Sequence, residues 1–228
     1  MIKLKITKIS ENIWSLRSWI IFPITVWLVV EEDGVTLVDT GMSFMATGIL
    51  NFIEQLNVGT LKGVLLTHGH PDHIGALHTI LKKYPVPVYA HAQEIPYLLG
   101  ELSYKEGNKA VSVLNNKQIH AFTETEQGQL QSINGLTPHH TPGHSPGHTA
   151  FYHEKDKVLL AGDLFSSKKG KFKKPYFTSN ENMKEVLKSS MIVNQLPLHQ
   201  VEVCHGRSVF NPQDELEVYI TANVKKYS

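Results

Sequence analysis

The sequence has a single cysteine, Cys204, so no internal disulfide can form and a reducing cytoplasm is the expected setting. It also lacks a long apolar run. The longest such stretch, Trp19 to Val30, is too short for a membrane helix of roughly 20 residues and contains Pro23. Residues Met1 to Lys8 alternate apolar and basic side chains without a signal-type apolar block, which fits a soluble protein with no membrane attachment. Excess charge of one sign is missing too. The formal net charge is +1 with histidines neutral, so no global field points to nucleic acid or a lipid surface. There is no low-complexity tract and no short repeat. With 228 residues, 41% of them apolar, the chain is expected to form one domain over 1–228 with a substantial core.

What the chain has in excess is histidine. The 13 histidines concentrate around 68–78 and 139–153. The densest run is Thr67-His68-Gly69-His70-Pro71-Asp72-His73, directly after the apolar Gly63-Val64-Leu65-Leu66. The apolar run reads as a buried strand, so the cluster leaves a strand's carboxyl end, where open α/β sheets place ligands. Neutral imidazoles and a carboxylate suit zinc-like divalent ions. In an extended loop His68 and His70 point the same way, while Asp72 and His73 follow the bend at Pro71. One metal could use two of these groups; four in so short a stretch suggest two metals.

Around this cluster the pattern alternates strands and helices. Strands are expected at 2–9, 24–30, 35–38, 63–66, 86–90, 129–133, 136–140, 148–152 and 157–161. Helices are expected at 44–56 with Ser43 as cap, and at 73–83, 92–99, 181–190 and 212–226. Glu32-Asp33-Gly34 predicts a hairpin turn. Residues 100–128 are polar and weakly periodic, including Ser103 to Asn108, and read as either a lid or a surface excursion. Asp33 to Asp39 echoes Asp156 to Asp163, a turn, an apolar strand and an aspartate in each, which suggests two packed sheets with helices outside.

Three further segments carry metal-competent residues at strand ends or tight turns. His144 lies in Thr141-Pro142-Gly143-His144-Ser145-Pro146-Gly147-His148, where two prolines and two glycines fix the loop. Asp163 follows Leu159-Leu160-Ala161-Gly162, and its two oxygens could bridge two ions. His205 follows Val201-Glu202-Val203-Cys204. Asp39 is either a simple turn residue or a carboxylate that supports the metal loop. His148 is read as a structural or supporting residue, His139 and His140 as structural or surface. Cys204, in a strand beside His205, would face away from it as a buried apolar residue.

On these residues, Asp39, His68-Gly69-His70-Pro71-Asp72-His73, His144, Asp163 and His205, the chain resembles the metallo-β-lactamase superfamily, and within it the glyoxalase II-like hydrolases. The resemblance implies a four-layer αββα sandwich of the α/β (α+β) class with the site along one edge of two sheets. It implies two Zn2+ ions, with Fe or Mn as alternatives. His68, His70 and His144 would hold one, Asp72, His73 and His205 the other, with Asp163 bridging and Asp39 behind. Two such ions about 3.5–4 Å apart share a water that is largely hydroxide near neutral pH, and Asp72 would orient it and carry its proton as the catalytic carboxylate. The implied substrate is a small thioester, lactone or ester. The alternative on the same fold is a mononuclear-iron persulfide dioxygenase.

Departures narrow the class. Glyoxalase II proper has a C-terminal helical domain that helps hold glutathione, and few residues follow His205. Asp163 argues against antibiotic hydrolysis, and His70 against the flavodiiron branch, which has glutamate there. Lactonases carry a tyrosine where this chain has Ser166. Lys168, Lys169 and Lys171, with Lys173 and Lys174, form a lysine-rich run that reads as a solvated loop or as a rim recruiting an anionic substrate. No nucleic-acid partner is expected, and the 19–30 stretch could serve a homodimer.

Overall fold

The computed structural model describes residues 4–104, 110, 112–115, 117–176 and 182–227. The amino-terminal half builds a seven-stranded sheet in sequence order: β1 (Lys5–Lys8), β2 (Ile13–Trp19), β3 (Pro23–Glu31), β4 (Gly34–Val38), β5 (Thr60–Leu65), β6 (Val88–Ala90) and β7 (Ile119–Ala121). β1 to β4 form an antiparallel meander and β4 to β7 run parallel. The parallel connections carry α1 (Ala46–Leu56), then α2 (Pro71–Ile74) and α3 (Leu77–Lys83), then α4 (Ile95–Leu98). In the second half β8 (Leu136–His140), β9 (Thr149–His153) and β10 (Val158–Leu160) are followed by a separate hairpin, β11 (Ser166–Lys168) and β12 (Lys171–Lys173). After α5 (Met183–Ser190) and α6 (Ile192–Gln195) come β13 (Gln200–Glu202) and β14 (Val209–Phe210), and α7 (Pro212–Tyr227) closes the chain. The second sheet has the order β14-β13-β10-β9-β8.

Side-chain alternation explains the layers. Successive residues of a strand face opposite sides. On the second sheet Phe151, Val158 and Leu160 pack with the first sheet and with α1 and α3, whereas Ala150, Tyr152, Leu159 and Val201 pack with α5, α6 and α7. The result is helices, sheet, sheet, helices: the αββα sandwich. Phe151 is fully buried between the sheets with its ring 5.8 Å from Phe122. Phe151→Ala is expected to cost about 3–5 kcal/mol of folding stability, through lost burial and a cavity that cannot collapse. A denaturant midpoint unchanged from the parent would refute this.

Several expectations are corrected. Ser43 caps nothing: it begins a 3-10 turn, Ser43–Met45, and α1 starts at Ala46 without a side-chain cap. The helix expected over 73–83 breaks at Gly75-Ala76, because this backbone packs on the Gly41–Ser43 segment; a Cβ on Gly75 would meet Ser43 N at 2.9 Å and Gly41 O at 3.0 Å. Residues 129–133 form only isolated bridges, Glu124 to Leu130 and Ile133 to Leu136, since Gln129, Gln131 and Ser132 are exposed and only Leu130 and Ile133 pack on the core. β2 and β7 are strands that periodicity missed. The start of the 2–9 strand, residue 181 of the 181–190 helix, and Lys105 to Asn108 lie outside the described residues. The 19–30 stretch does not form one exposed face: Trp19, Ile20 and Ile21 are exposed at the β2–β3 turn, and Ile24 to Val29 are core. No helix among the described residues is long and apolar enough to cross a membrane.

Candidate metal centre

Topology collects the site. β4 and β5 are parallel, so Asp39 and the 67–73 loop leave one edge of the first sheet. β9 is antiparallel to both β8 and β10, and β13 is parallel to β10. The loop holding His144, then Asp163, and then His205 therefore leave one edge of the second sheet. A bond from Thr149 N to Thr67 O, 2.9 Å, ties the two edges together.

Two groups of donor atoms result. His68 Nε2 lies 2.7 Å from His70 Nδ1, which lies 3.0 Å from His144 Nε2. In the second group, His205 Nε2 is 3.2 Å from both Asp72 Oδ2 and Asp163 Oδ2, and His73 Nε2 is 3.5 Å from Asp163 Oδ1. Asp163 joins the groups, because its Oδ2 is also 3.4 Å from His144 Nε2. The structure thus brings together His68, His70, Asp72, His73, His144, Asp163 and His205.

The other nitrogen of three rings is occupied, and this orients each ring and sets the tautomer of its neutral form. His68 Nδ1 faces Thr67 Oγ1 at 3.0 Å, and that hydroxyl donates to Asp39 Oδ2 at 2.8 Å. With the hydroxyl proton spent, His68 Nδ1–H is the donor and Nε2 presents its lone pair. His73 Nδ1 donates to Asp39 Oδ2 at 2.8 Å, and His205 Nδ1 to the Pro23 carbonyl at 2.8 Å. Asp39 is fully buried in the left-handed backbone region, φ 57°, and also accepts from Thr67 N at 2.8 Å. That turn after β4 aims its carboxylate at the back of the loop. His148 is held neutral: its Nε2 accepts from Asp163 N at 3.0 Å, so Nδ1 carries the proton toward Thr141. Burial pushes its pKa well down, as it does for His68, and brings His70 to about 3.

This donor set fits a metal. The buried His73 Nε2 and Asp163 Oδ1 have no hydrogen-bond partner, and buried polar atoms are otherwise nearly always paired. Cys204 is buried in the core as expected, but it does not face away from His205. Its sulfur lies within 4.8 Å of donor atoms of His73, Asp163 and His205, because β13 ends at Glu202 and strand alternation no longer governs residue 204. Among the described residues, no ion pair or hydrogen bond joins Lys168, Lys169 or Lys171 to this cluster. Lys171 instead faces Glu215 at 3.9 Å, and Lys174 donates to Tyr227 Oη at 2.9 Å.

Sequence reasoning missed Glu94. It is fully buried and accepts from Gly69 N at 2.9 Å and Tyr104 Oη through Oε1, and from Gly147 N at 2.8 Å and Ser145 Oγ at 2.9 Å through Oε2. One carboxylate thereby clamps both histidine loops. It stands in no motif, and only the fold puts it there. Gly147 leaves no room for a Cβ against Glu94. Tyr104, from the weakly periodic stretch, packs edge-on against His70 at 4.6 Å; Phe22 and Tyr176 flank His205 at 4.9 and 5.2 Å.

The Metallo-beta-lactamase superfamily profile matches residues 19–203. The chain belongs to the metallo-beta-lactamase superfamily. It is 29% identical over 198 residues to the probable metallo-hydrolase YybB of Bacillus subtilis, covering 87% of each chain. A shorter similarity, 30% over 91 residues, relates it to hydroxyacylglutathione hydrolase 1 of Vibrio vulnificus, covering 40% of this chain and 35% of that one. Among solved structures, the metallo-beta-lactamase from Pontibacter korlensis superposes with a TM-score of 0.76 at 21% identity, over 96% of this chain and 98% of the other. That likeness shows the fold.

In this superfamily member, protonation opposes metal uptake. Burial alone would lower His73 and His205. Cys204, Asp39, Asp163 and Asp72 reverse the sign at His73, and Asp163, Cys204 and Asp72 do so at His205, so both pKa values are raised. The folded metal-free protein therefore keeps protons on these rings above about pH 6.5, where free histidine loses them. The stability this adds is present below that pH and is lost as pH rises toward the raised values. A metal needs both Nε2 atoms bare. Loading is expected to release protons, and apparent affinity to fall with pH through the neutral range. Calorimetric titration in buffers of differing ionisation enthalpy reads this directly; no net proton release near pH 7 would sink the idea.

Proposed function

We propose that the chain is a dinuclear metal-dependent hydrolase of the glyoxalase II-like type, acting on a small thioester, lactone or ester. The observation that carries the reading is Asp163 lying between two complete donor groups, within 3.4 Å of His144 and 3.2 Å of His205. His68, His70 and His144 would hold one ion, Asp72, His73 and His205 the other, with Asp163 shared. When bound, two divalent ions supply Lewis-acid polarisation of a carbonyl and an acidified water.

The chain's own residues do the rest. Asp72 is the most solvent-accessible of the carboxylates here, with 22% of its side chain exposed against 4% for Asp163, so it can accept a proton and pass it to solvent. His73 and His205 hold Asp72 below the usual carboxylate range against the opposing effect of burial, which keeps it ready to accept. Asp39, Thr67 and Pro23 fix the rings. Phe22, Tyr176 and Tyr104 give the site apolar walls beside His205 and His70, suited to the organic part of a small ester rather than to a polyanion. The similarity to a hydroxyacylglutathione hydrolase favours a thioester among these classes.

Elemental analysis of protein purified without added metal tests the reading. About two zinc per chain, with turnover of a thioester or lactone panel, is the expected result. About one iron per chain with persulfide-dependent oxygen uptake would replace the hydrolase with the dioxygenase.

A further inference from the structure

Away from the histidine cluster lies a groove of about 570 Å³ lined by Lys5 and Arg17 from the β1–β2 edge, Lys169 from the β11–β12 turn, Arg207 from the chain between β13 and β14, and Phe210 from β14. Its lining includes no carboxylate. Three segments far apart in sequence thus bring four cations to one concavity. Among the described residues, none of the four has an ion-pair partner, although other lysines do, including Lys171 on the same hairpin. The acidic neighbour of Arg17 is Glu202, which is fully buried and does not reach the groove.

The Arg17 side chain and the backbone carrying Arg207 are held in place. Arg17 Nε donates to Thr25 Oγ1 at 2.9 Å, which fixes the guanidinium and, among the described residues, leaves its other donors unused. Arg207 N donates to Ser167 Oγ at 2.7 Å, and that hydroxyl donates back to the Arg207 carbonyl at 2.5 Å. This exchange locks the segment carrying Arg207 to the hairpin carrying Lys169. Like charges held together repel, Glu202 lies buried behind Arg17 and outside the groove, and an anion placed among the cations relieves that cost. Guanidinium and ammonium groups on several sides match phosphate oxygens. Phe210, 62% exposed, and Ile9 add an apolar face against which a planar ring can pack.

Size and charge decide the ligand class. The volume falls within the roughly 300–1,000 Å³ of small-molecule sites. A nucleic-acid strand would need a longer basic track, and the chain's net charge is only +1. We propose that this groove binds a phosphate-bearing small molecule of the nucleoside diphosphate class, with its phosphates on Arg17, Lys169, Arg207 and Lys5 and its ring against Phe210. The proposal does not depend on the hydrolase reading, because binding is measured without turnover.

The test is calorimetric titration of the full chain with ADP, with inorganic pyrophosphate as competitor. Arg207 and Lys169 are exposed, so Arg207→Ala and Lys169→Ala leave the fold intact. Each is expected to weaken ADP binding by about tenfold or more, the effect of losing one charge-assisted contact. The double variant should bind neither ADP nor pyrophosphate, and Phe210→Ala should weaken ADP alone. Equal ADP affinity in the double variant, or no saturable binding by the parent, overturns the proposal. Preference for a single-stranded oligonucleotide over ADP by more than about a hundredfold also overturns it.

Discussion

Replacing Asp163 with alanine is expected to lower kcat/KM by at least about a thousandfold and to reduce bound metal below two equivalents per chain. Asp163 is 3% exposed, and its two oxygens face His73, His144 and His205. No other carboxylate approaches both donor groups among the described residues; Asp72 contacts only the second. Removing it leaves imidazole nitrogens of both groups without the anion between them, so two dications there would repel unscreened. The backbone bond from residue 163 to His148 survives the change, so the loop keeps its path. Circular dichroism should therefore match the parent. Asp163→Asn keeps the shape but loses the charge, and is expected to fail almost as badly. Activity within tenfold of the parent, or an unchanged metal count, would remove Asp163 from the bridging position.

The second large effect is expected at Glu94, whose hydrogen-bond donors are Gly69, Tyr104, Ser145 and Gly147 and not the proposed ligand side chains. Its two oxygens take four donors from three loops, and alanine would strand those donors in a buried setting. Unmet buried donors cost about 1–3 kcal/mol each, partly relieved by relaxation, so Glu94→Ala is expected to destabilise the metal-free protein by about 3–5 kcal/mol. The informative variant is Glu94→Gln. Each oxygen of Glu94 accepts from a backbone N–H, Gly69 on one side and Gly147 on the other. An amide NH2 on either side would meet a donor with a donor, so the usual conservative change should cost at least about 2 kcal/mol. It should also weaken metal at the His68, His70 and His144 group by about 10–100-fold, as changes to the supporting partners of metal ligands do. Urea denaturation and metal competition read the two effects separately. A glutamine variant as stable and as metal-avid as the parent would show that the clamp has no role.

The sequence by itself determined where the reactive groups sit along the chain. His68, His70, Asp72 and His73 fall in six positions after an apolar run, and each further donor follows a strand or stands in a Pro/Gly turn. Hydrophobic alternation is local chemistry, so most strands and helices were readable, and the echo between the halves anticipated two sheets. Convergence is not local. Only strand direction in the second sheet brings His144, Asp163 and His205 to one edge, and only sheet packing sets that edge against His68 and His73.

The tertiary structure alone decided everything that depends on neighbours distant in sequence. Asp39 could be a turn or a support until its carboxylate was seen to accept from Thr67 and His73. Glu94 has no motif, because its partners Gly69 and Gly147 lie 25 and 53 residues ahead or behind in the chain. The Pro23 carbonyl that orients His205 is a backbone atom and leaves no side-chain signature. Cys204 is buried as its sequence suggested, but its direction was not readable, because strand alternation does not extend past the end of β13. The lysine run looked like one patch in sequence, yet a hairpin sends Lys169 to the groove and Lys171 toward Glu215. Sequence patterns record which side chains a segment can present; packing decides what they meet.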